Sequence, residues 1–395
     1  MATSVNPYVG PRVFVHGERL YARDNELRQI QEQLLADRVV VLHSPSGAGK
    51  SSLINAGLLP LMREAGFYIL PTALVNILPP NMVDVNRYAF SVITCLEEGL
   101  QHEERRPLDS PSVLTMDECL KQYPRPADAP PSDLVVIDQF EEVLSLDPTD
   151  LAAKEEFFRQ LGVALRNRDR YALFAMREDY LGALAPYRRF IPGHLFSTFR
   201  LDLLGREAAL EAVCLPAQSC GVDFDEEAAH FLVDDLCRMQ VQRPDGTIVS
   251  VLGPHVEPVQ LQVVLYRIWE NLPQGATAIH LEDVESKGDV SQSLGEYYDS
   301  KVYESAHEVH VSEYDIREWF GTRLITAAGM RNLVLMGAGS SDGLDNQVIG
   351  YLENFHLVRS EKRGGTTWFE LAHDRLVEPI LRSNRKWFAV NPSLR

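Results

Sequence analysis

The run Ser44-Pro45-Ser46-Gly47-Ala48-Gly49-Lys50-Ser51 carries the plainest chemistry in the chain. A polyphosphate needs several backbone N–H groups turned toward it, and only glycine or small residues let the main chain approach so closely. Ser46, Gly47, Ala48 and Gly49 supply that main chain, and Ser52 extends it past Lys50 and Ser51. Lys50 adds a point charge for the β- and γ-phosphates, and the Ser51 hydroxyl can ligate Mg2+. The usual pattern opens with glycine, where this chain has Ser44. Were that position to need positive φ, a non-glycine residue would cost about 1–2 kcal/mol and weaken the loop. The competing reading is a glycine turn capping an ordinary helix. An apolar β-branched run before the loop and a helical pattern after it favour phosphate binding.

A second group of residues fits the same chemistry. Leu134-Val135-Val136-Ile137 reads as a buried strand ending in Asp138, which would emerge where ligands of parallel sheets bind and hold Mg2+. Glu141 and Glu142 follow within one turn, and either could polarise an attacking water while the other opens a helix. The spacing alone does not choose between them, and Glu141 is weakly preferred. Arg177 ends the strand-like run Ala172–Met176, where a planar, permanently charged guanidinium could sense a γ-phosphate. The alternative for Arg177 is a surface ion pair with Glu178 or Asp179. His373-Asp374 has no ligand spacing of its own and reads, on local pattern, as a satisfied surface histidine.

These residues must be positioned by an alternating scaffold. Val39–Leu42 is a short apolar run suited to a fully buried strand, and Leu27, Ile30 and Leu34 mark a helix before it. Helical patterns over Ser52–Glu64, Arg87–Leu100 and Leu151–Arg166 alternate with apolar runs at Tyr68–Leu78, Leu134–Ile137 and Ala172–Met176. Such alternation predicts a mostly parallel sheet with right-handed crossovers. The interval His102–Ser132, rich in Pro, Asp and Glu, reads as an irregular excursion. Past Leu204 the pattern becomes helix after helix, over Arg206–Cys214, Asp225–Met239 and Val259–Glu270, with a hairpin turn expected at Pro244-Asp245-Gly246. The last stretch is helical to Glu353 and then has two strand-like runs, Phe355–Ser360 and Thr366–Leu371, as in a winged helix. The expected fold is an α/β P-loop NTPase domain at 1–204, a helical lid domain at 205–275 and a winged-helix domain at 276–395.

Composition narrows the partners. The 395 residues are 45% hydrophobic and 24% charged, a globular balance, and a formal charge of −18 argues against a general binder of nucleic acid or anionic membrane. Five scattered cysteines without metal-ligand spacing suit reduced thiols. Together with the absence of a signal-like start or a long apolar run, they place the expected location in the cytoplasm, away from membranes.

Taken together, the motifs resemble the bacterial STAND ATPases (signal-transduction ATPases with numerous domains), in particular their novel STAND group. Asn6-Pro7-Tyr8-Val9-Gly10 resembles the group's entry motif, and Tyr21-Ala22-Arg23-Asp24-Asn25-Glu26 its aromatic-Gly-Arg-x-x-Glu box with Ala22 in place of glycine. The loop through Ser52-Leu53 with Ala56–Pro60, Val136–Glu142 and Ala175–Tyr180 resemble its P-loop, magnesium-site strand and arginine sensor. Leu215-Pro216-Ala217, Glu257–Gln262 and Leu371–Leu376 resemble motifs of its helical and winged-helix domains. The resemblance implies that Arg23 belongs to the nucleotide site, that Pro216 lies near the adenine and that His373 contacts the ADP β-phosphate in a closed state.

It further implies slow ATP hydrolysis, nucleotide-controlled self-association, and a place in bacterial conflict or antiphage defence with a separate effector or sensor protein. The chain starts at the entry motif and stops soon after the winged helix, so either it is a trimmed piece or the effector and sensor are separate proteins, and the Met1 start leans weakly to the second. Two other readings fit parts of the pattern. One is a DNA-associated ATPase such as an initiator or transposition regulator, which the acidic balance disfavours. The other is a nucleotide-binding scaffold in which Ser44 has cost the loop its hydrolytic activity.

Overall fold

The computed structural model describes residues 6–77, 85–100, 115–145, 147, 149–243, 247–273, 275–287, 290–326, 329–363 and 366–391. Compactness divides the chain into two units. One comprises Met1–Val13, Ser46–Gly49 and Leu203–Arg395, and the other Phe14–Pro45 and Lys50–Asp202.

The second unit is built on five strands: β1 (Val39–Ser44), β2 (Tyr68–Ile69), β3 (Asp133–Ile137), β4 (Arg170–Arg177) and β5 (Thr198–Arg200). They pair in the order β2-β3-β4-β1-β5, every neighbour parallel. All residues of β1 and β3 are buried, as expected of strands covered on both faces, which is why they read as unbroken apolar runs. The chain order reverses at β1, since it runs from β1 to the far strand β2 and returns through β3 and β4 to β5 on the other side. Parallel sheets bind ligands beyond the carboxyl ends of the strands at such a reversal. β4 lies between β1 and β3, so that Ser44 and Arg177 are partners in register.

Helix Asp24–Asp37 precedes β1 and buries Leu27, Ile30 and Leu34, with Asp24 and Glu26 favourably placed in its first turn. Ala22, just upstream, has φ +62°, the left-handed conformation that favours the glycine it replaces. After the loop the chain runs through helix Lys50–Ser52, a π-helical stretch Leu53–Leu58 and helix Leu59–Glu64, starting two residues earlier than the sequence pattern. Helix Arg87–Glu98 is capped by Asn86, whose side chain accepts from the amides of Tyr88 and Ala89. Helix Leu151–Ala164 is capped by Asp150.

Several expectations need correction. Of the apolar run Tyr68–Leu78, Tyr68–Ile69 pairs with β3, the Leu70 and Ala73 amides donate to Leu134 O and Val136 O, and Ala73 bridges to Ile137. The supposed irregular excursion contains helix Met116–Lys121, fixed by a reciprocal cap between Thr115 and Glu118. Residues 102–114 of that stretch and Pro79-Pro80-Asn81 lie outside the described residues.

An aromatic cluster holds this unit together near the site. Phe140 stacks on Phe174 at 4.7 Å and Phe158 on Tyr187 at 4.5 Å, all within the buried core. Phe140 lies three residues past the end of β3, so its burial pins the turn that carries Asp138 and Glu141. The opposite, amino-terminal edge of the sheet is tied by ions. Asp133 on β3 pairs with the fully buried Arg170 on β4 at 3.0 Å and with Arg125.

In the other unit, Tyr8 is buried, donates to the Val213 carbonyl at 2.5 Å and meets Trp269 edge-on. Helix Arg206–Ser219 runs straight through Pro216, five residues past the expected end, and is followed by helix Glu226–Leu236. The hairpin expected next is Arg238–Gln242 paired with Ile248–Leu252, its turn residues Pro244-Asp245-Gly246 falling outside the described ones. Helices Pro258–Glu270, Leu281–Lys287, Val290–Val309 and Glu313–Trp319 come next. A three-stranded antiparallel sheet joins Val334–Leu335, Thr366–Leu371 and Val358–Arg363. Helix Val377–Val390, absent from the sequence expectation, packs here through Arg317, which reaches Ser383, Asn384 and Asp299 from a buried position. The chain is thus a parallel α/β core followed by helical and small antiparallel-sheet regions.

Candidate functional site

The loop after β1 turns on two glycines. Gly47 has φ +77° and Gly49 φ +92°, while Ser46 and Ala48 are not in the left-handed region. Alternating conformations of this kind turn successive amides to one side and form an anion-binding nest. Nothing lies within 4 Å of a β-carbon added at either glycine, so it is φ and not crowding that demands glycine there. Ser44 is different. It is a fully buried strand residue outside the positive-φ set, so the backbone penalty anticipated for a non-glycine residue does not arise.

Lys50 opens the helix after the loop, and its Nζ donates to Ser44 Oγ at 2.8 Å. The Ser44 hydroxyl in turn donates to the Pro45 carbonyl at 2.7 Å. Ser51 Oγ donates to Asp138 Oδ2 at 2.6 Å, bringing the loop serine and the strand carboxylate together as the sequence spacing suggests. Asp138 Oδ1 also accepts from the Gln139 amide at 2.8 Å.

The turn after β3 explains how Asp138 and Glu141 come to share the site. The Asp138 amide donates to Ala73 O and the Phe140 amide to Ala175 O, extending the ladder one residue on each side of Gln139. Gln139, squeezed between them, has φ +51°. Backbone strain at a non-glycine residue marks a site worth attention, and no pattern in the sequence announced it. Glu141 then reaches across to β4, where its Oε2 accepts from the Arg177 amide at 3.3 Å. Glu142 begins the short helix Glu142–Ser145. Its carbonyl end is covered by the buried Lys154 ammonium, which donates to Leu144 O at 3.2 Å and to Asp147 O.

Charges within the site oppose one another. Burial pushes the Lys50 amine below its ordinary value, while Glu141 and then Asp138 pull it up. Burial likewise pushes the Glu141 carboxyl up, against the pull of Lys50. Arg177 pairs with Asp179 at 2.8 Å, the surface pairing that the sequence offered as the alternative to phosphate sensing. Its backbone nevertheless lies beside Glu141, and its place in register with Ser44 puts it on the site's edge of the sheet.

Arg23 is buried, pairs with Glu26 at 2.6 Å and donates to Asp202 O at 2.8 Å. Pro216 and His373 belong to the other unit. Pro216 is buried within its helix. The His373 ring accepts from the Arg375 amide through Nδ1 at 3.0 Å, which leaves the proton of a neutral imidazole on Nε2, 4.0 Å from Glu257 Oε1.

The sequence model of the family described as Novel STAND NTPase 1 matches residues 7–387. No curated protein sequence matches the chain significantly. Similar solved structures include the Walker-type ATPase PABY2304 of Pyrococcus abyssi, at 12% identity and a TM-score of 0.49, covering 94% of this chain and 98% of that one. Another is the Aeropyrum pernix ORC2 protein in ADPNP–ADP complexes, at 15% identity and a TM-score of 0.47, covering 95% of this chain and 97% of that one.

Proposed function

The chain belongs to the Novel STAND NTPase 1 family, and from that premise we propose that it is an ATP/ADP-controlled switch that hydrolyses ATP slowly. One observation carries the reading: the glycine loop, Lys50 and the Ser51–Asp138 pair meet at the carboxyl edge of the parallel sheet, where chain order reverses. Ser46, Gly47, Ala48 and Gly49 cradle the phosphates, and Ser52 follows on the first helical turn.

A hydroxyl and a carboxylate oxygen 2.6 Å apart form a hard-oxygen donor set suited to Mg2+. Ser51 and Asp138 would hold the ion, which would supply positive charge to the phosphates. Glu141 orients a water for attack on the γ-phosphorus and takes its proton. The bond from that phosphorus to the β–γ bridging oxygen breaks, leaving ADP and inorganic phosphate. Arg177 exchanges Asp179 for the γ-phosphate. Arg23 supports the site by holding the chain ahead of the first helix. By family resemblance, His373 donates through Nε2 to the β-phosphate and Pro216 lies at the adenine in the ADP-bound state.

Hydrolysis of this kind acts as a timer. ATP favours a self-associating form, ADP a closed one, and a separate effector or sensor in bacterial conflict or antiphage defence reads the difference. Moving such an equilibrium from 1:99 to 99:1 takes about 5.5 kcal/mol of differential binding. A γ-phosphate that recruits Arg177 and Glu141 in only one state is a source of that difference. Light scattering tests the switch: with ADP the protein is expected to keep one mass, and the Glu141→Gln variant with ATP and Mg2+ a larger one. Equal masses in both nucleotides contradict it.

A further inference from the structure

The loop's departure from the usual glycine at its first position has a chemical consequence. Lys50 is half-buried, and the charges of two carboxylates, Glu141 and Asp138, act on its amine. Yet its one hydrogen bond among the described residues goes to the neutral hydroxyl of Ser44, and neither carboxylate is within ion-pair distance. The Ser44 hydroxyl is itself fixed: its only proton is committed to the Pro45 carbonyl at 2.7 Å, which aims its lone pairs at the ammonium. The serine is completely buried and sits at an ordinary strand φ, so neither backbone strain nor solvent contact explains its side chain.

We propose that Ser44 is a positioning residue that keeps the Lys50 ammonium from collapsing onto Glu141 and Asp138, and so keeps its charge available to the nucleotide β-phosphate. The inference rests on the reading of this loop as a nucleotide site. An ammonium has three donors, and Ser44 uses one, leaving two for phosphate oxygens. Without the hydroxyl, the opposite charges that act on the amine, those of the carboxylates, are left to draw it in a site of low dielectric. A phosphate arriving there must first displace a charge-assisted pair, which is stronger than a bond to a neutral oxygen. The seeming defect in the motif thus becomes a holder for its lysine.

The test measures ADP and AMP affinity by calorimetry for wild type, Ser44→Ala, Ser44→Gly and Ser44→Thr, with melting temperatures alongside. Ser44→Ala and Ser44→Gly are expected to weaken ADP about ten-fold, the equivalent of roughly 1.4 kcal/mol. AMP, which has no β-phosphate, is expected to bind all four alike, and Ser44→Thr, which restores the oxygen, to recover ADP binding. In Ser44→Ala/Glu141→Gln, where one of the two competing charges is gone, affinity for ADP is expected to return part of the way toward wild type. Unchanged or tighter ADP binding in Ser44→Ala and Ser44→Gly overturns the proposal, as does an equal loss for ADP and AMP. If wild type binds ADP and the serine variants match it, only the role of Ser44 falls. If wild type binds no ADP, the nucleotide site itself falls and Ser44 with it.

Discussion

Replacing Glu141 by glutamine is expected to slow phosphate release from ATP by about 10²–10³-fold while leaving ADP affinity within a few-fold. The side chain keeps its shape but loses its capacity to take a proton. On the proposed reading Glu141 is the base, because its carboxylate accepts from the Arg177 amide and its charge acts on Lys50, while Glu142 starts a helix. The same change at Glu142 is expected to cost much less. The acid limb of the rate adds a second signature. A general base works only when ionised, and burial raises the Glu141 pKa above the ordinary 4.5. The rate is therefore expected to fall, as pH is lowered, at a pH above 4.5. In Glu141→Gln that limb is expected to vanish. A single-turnover pH series on both variants measures this, and a larger loss in Glu142→Gln would transfer the role to Glu142.

The largest effect on stability is expected far from the site. Asp133→Ala strands the Arg170 guanidinium, which is 1% exposed and held by Asp133 Oδ1 at 3.0 Å and Oδ2 at 3.2 Å. Arg170 also reaches the carbonyls of Ala164 and Leu120, so the pair ties β3 and β4 to two helix ends. Removing one partner of a buried ion pair costs about 3–5 kcal/mol, because the other charge is left in a medium that cannot solvate it. Native-state hydrogen exchange of β3 and β4 amides reads this loss directly. Replacing both residues by apolar ones of similar volume is expected to cost less than Asp133→Ala alone. A double variant as unstable as the single one would show that the charge itself is not the cause.

What the sequence disclosed follows from how local each signal is. β1, β3 and β4 were legible because strands buried on both faces are continuous apolar runs, and the glycine loop because its φ demands are written in residue type. β5 was not, since three residues stabilised by pairing with β1 leave no period to detect. Helix Met116–Lys121 was hidden by the Pro- and acid-rich composition around it, although Thr115 and Glu118 at capping spacing were a usable signal. Helix Val377–Val390 follows the hairpin, and the sequence reading, which follows the chain through the two strand-like runs, names no element there. At the site, Asp138 beside Ser51 was foreseeable from the motif pair. The strain at Gln139, the grip of Glu141 on the Arg177 amide and the hydroxyl of Ser44 beneath Lys50 depend on contacts across the sheet. No local spacing encodes them.

The account stands on the claim that the loop around Lys50 grips a nucleoside polyphosphate. Purified wild type and Lys50→Ala, each denatured and chromatographed for released nucleotide after incubation with ADP and desalting, test it most directly. Wild type is expected to carry close to one ADP per chain, and Lys50→Ala almost none at an unchanged fold by circular dichroism. Equal nucleotide in the two proteins, or none in wild type, would contradict it.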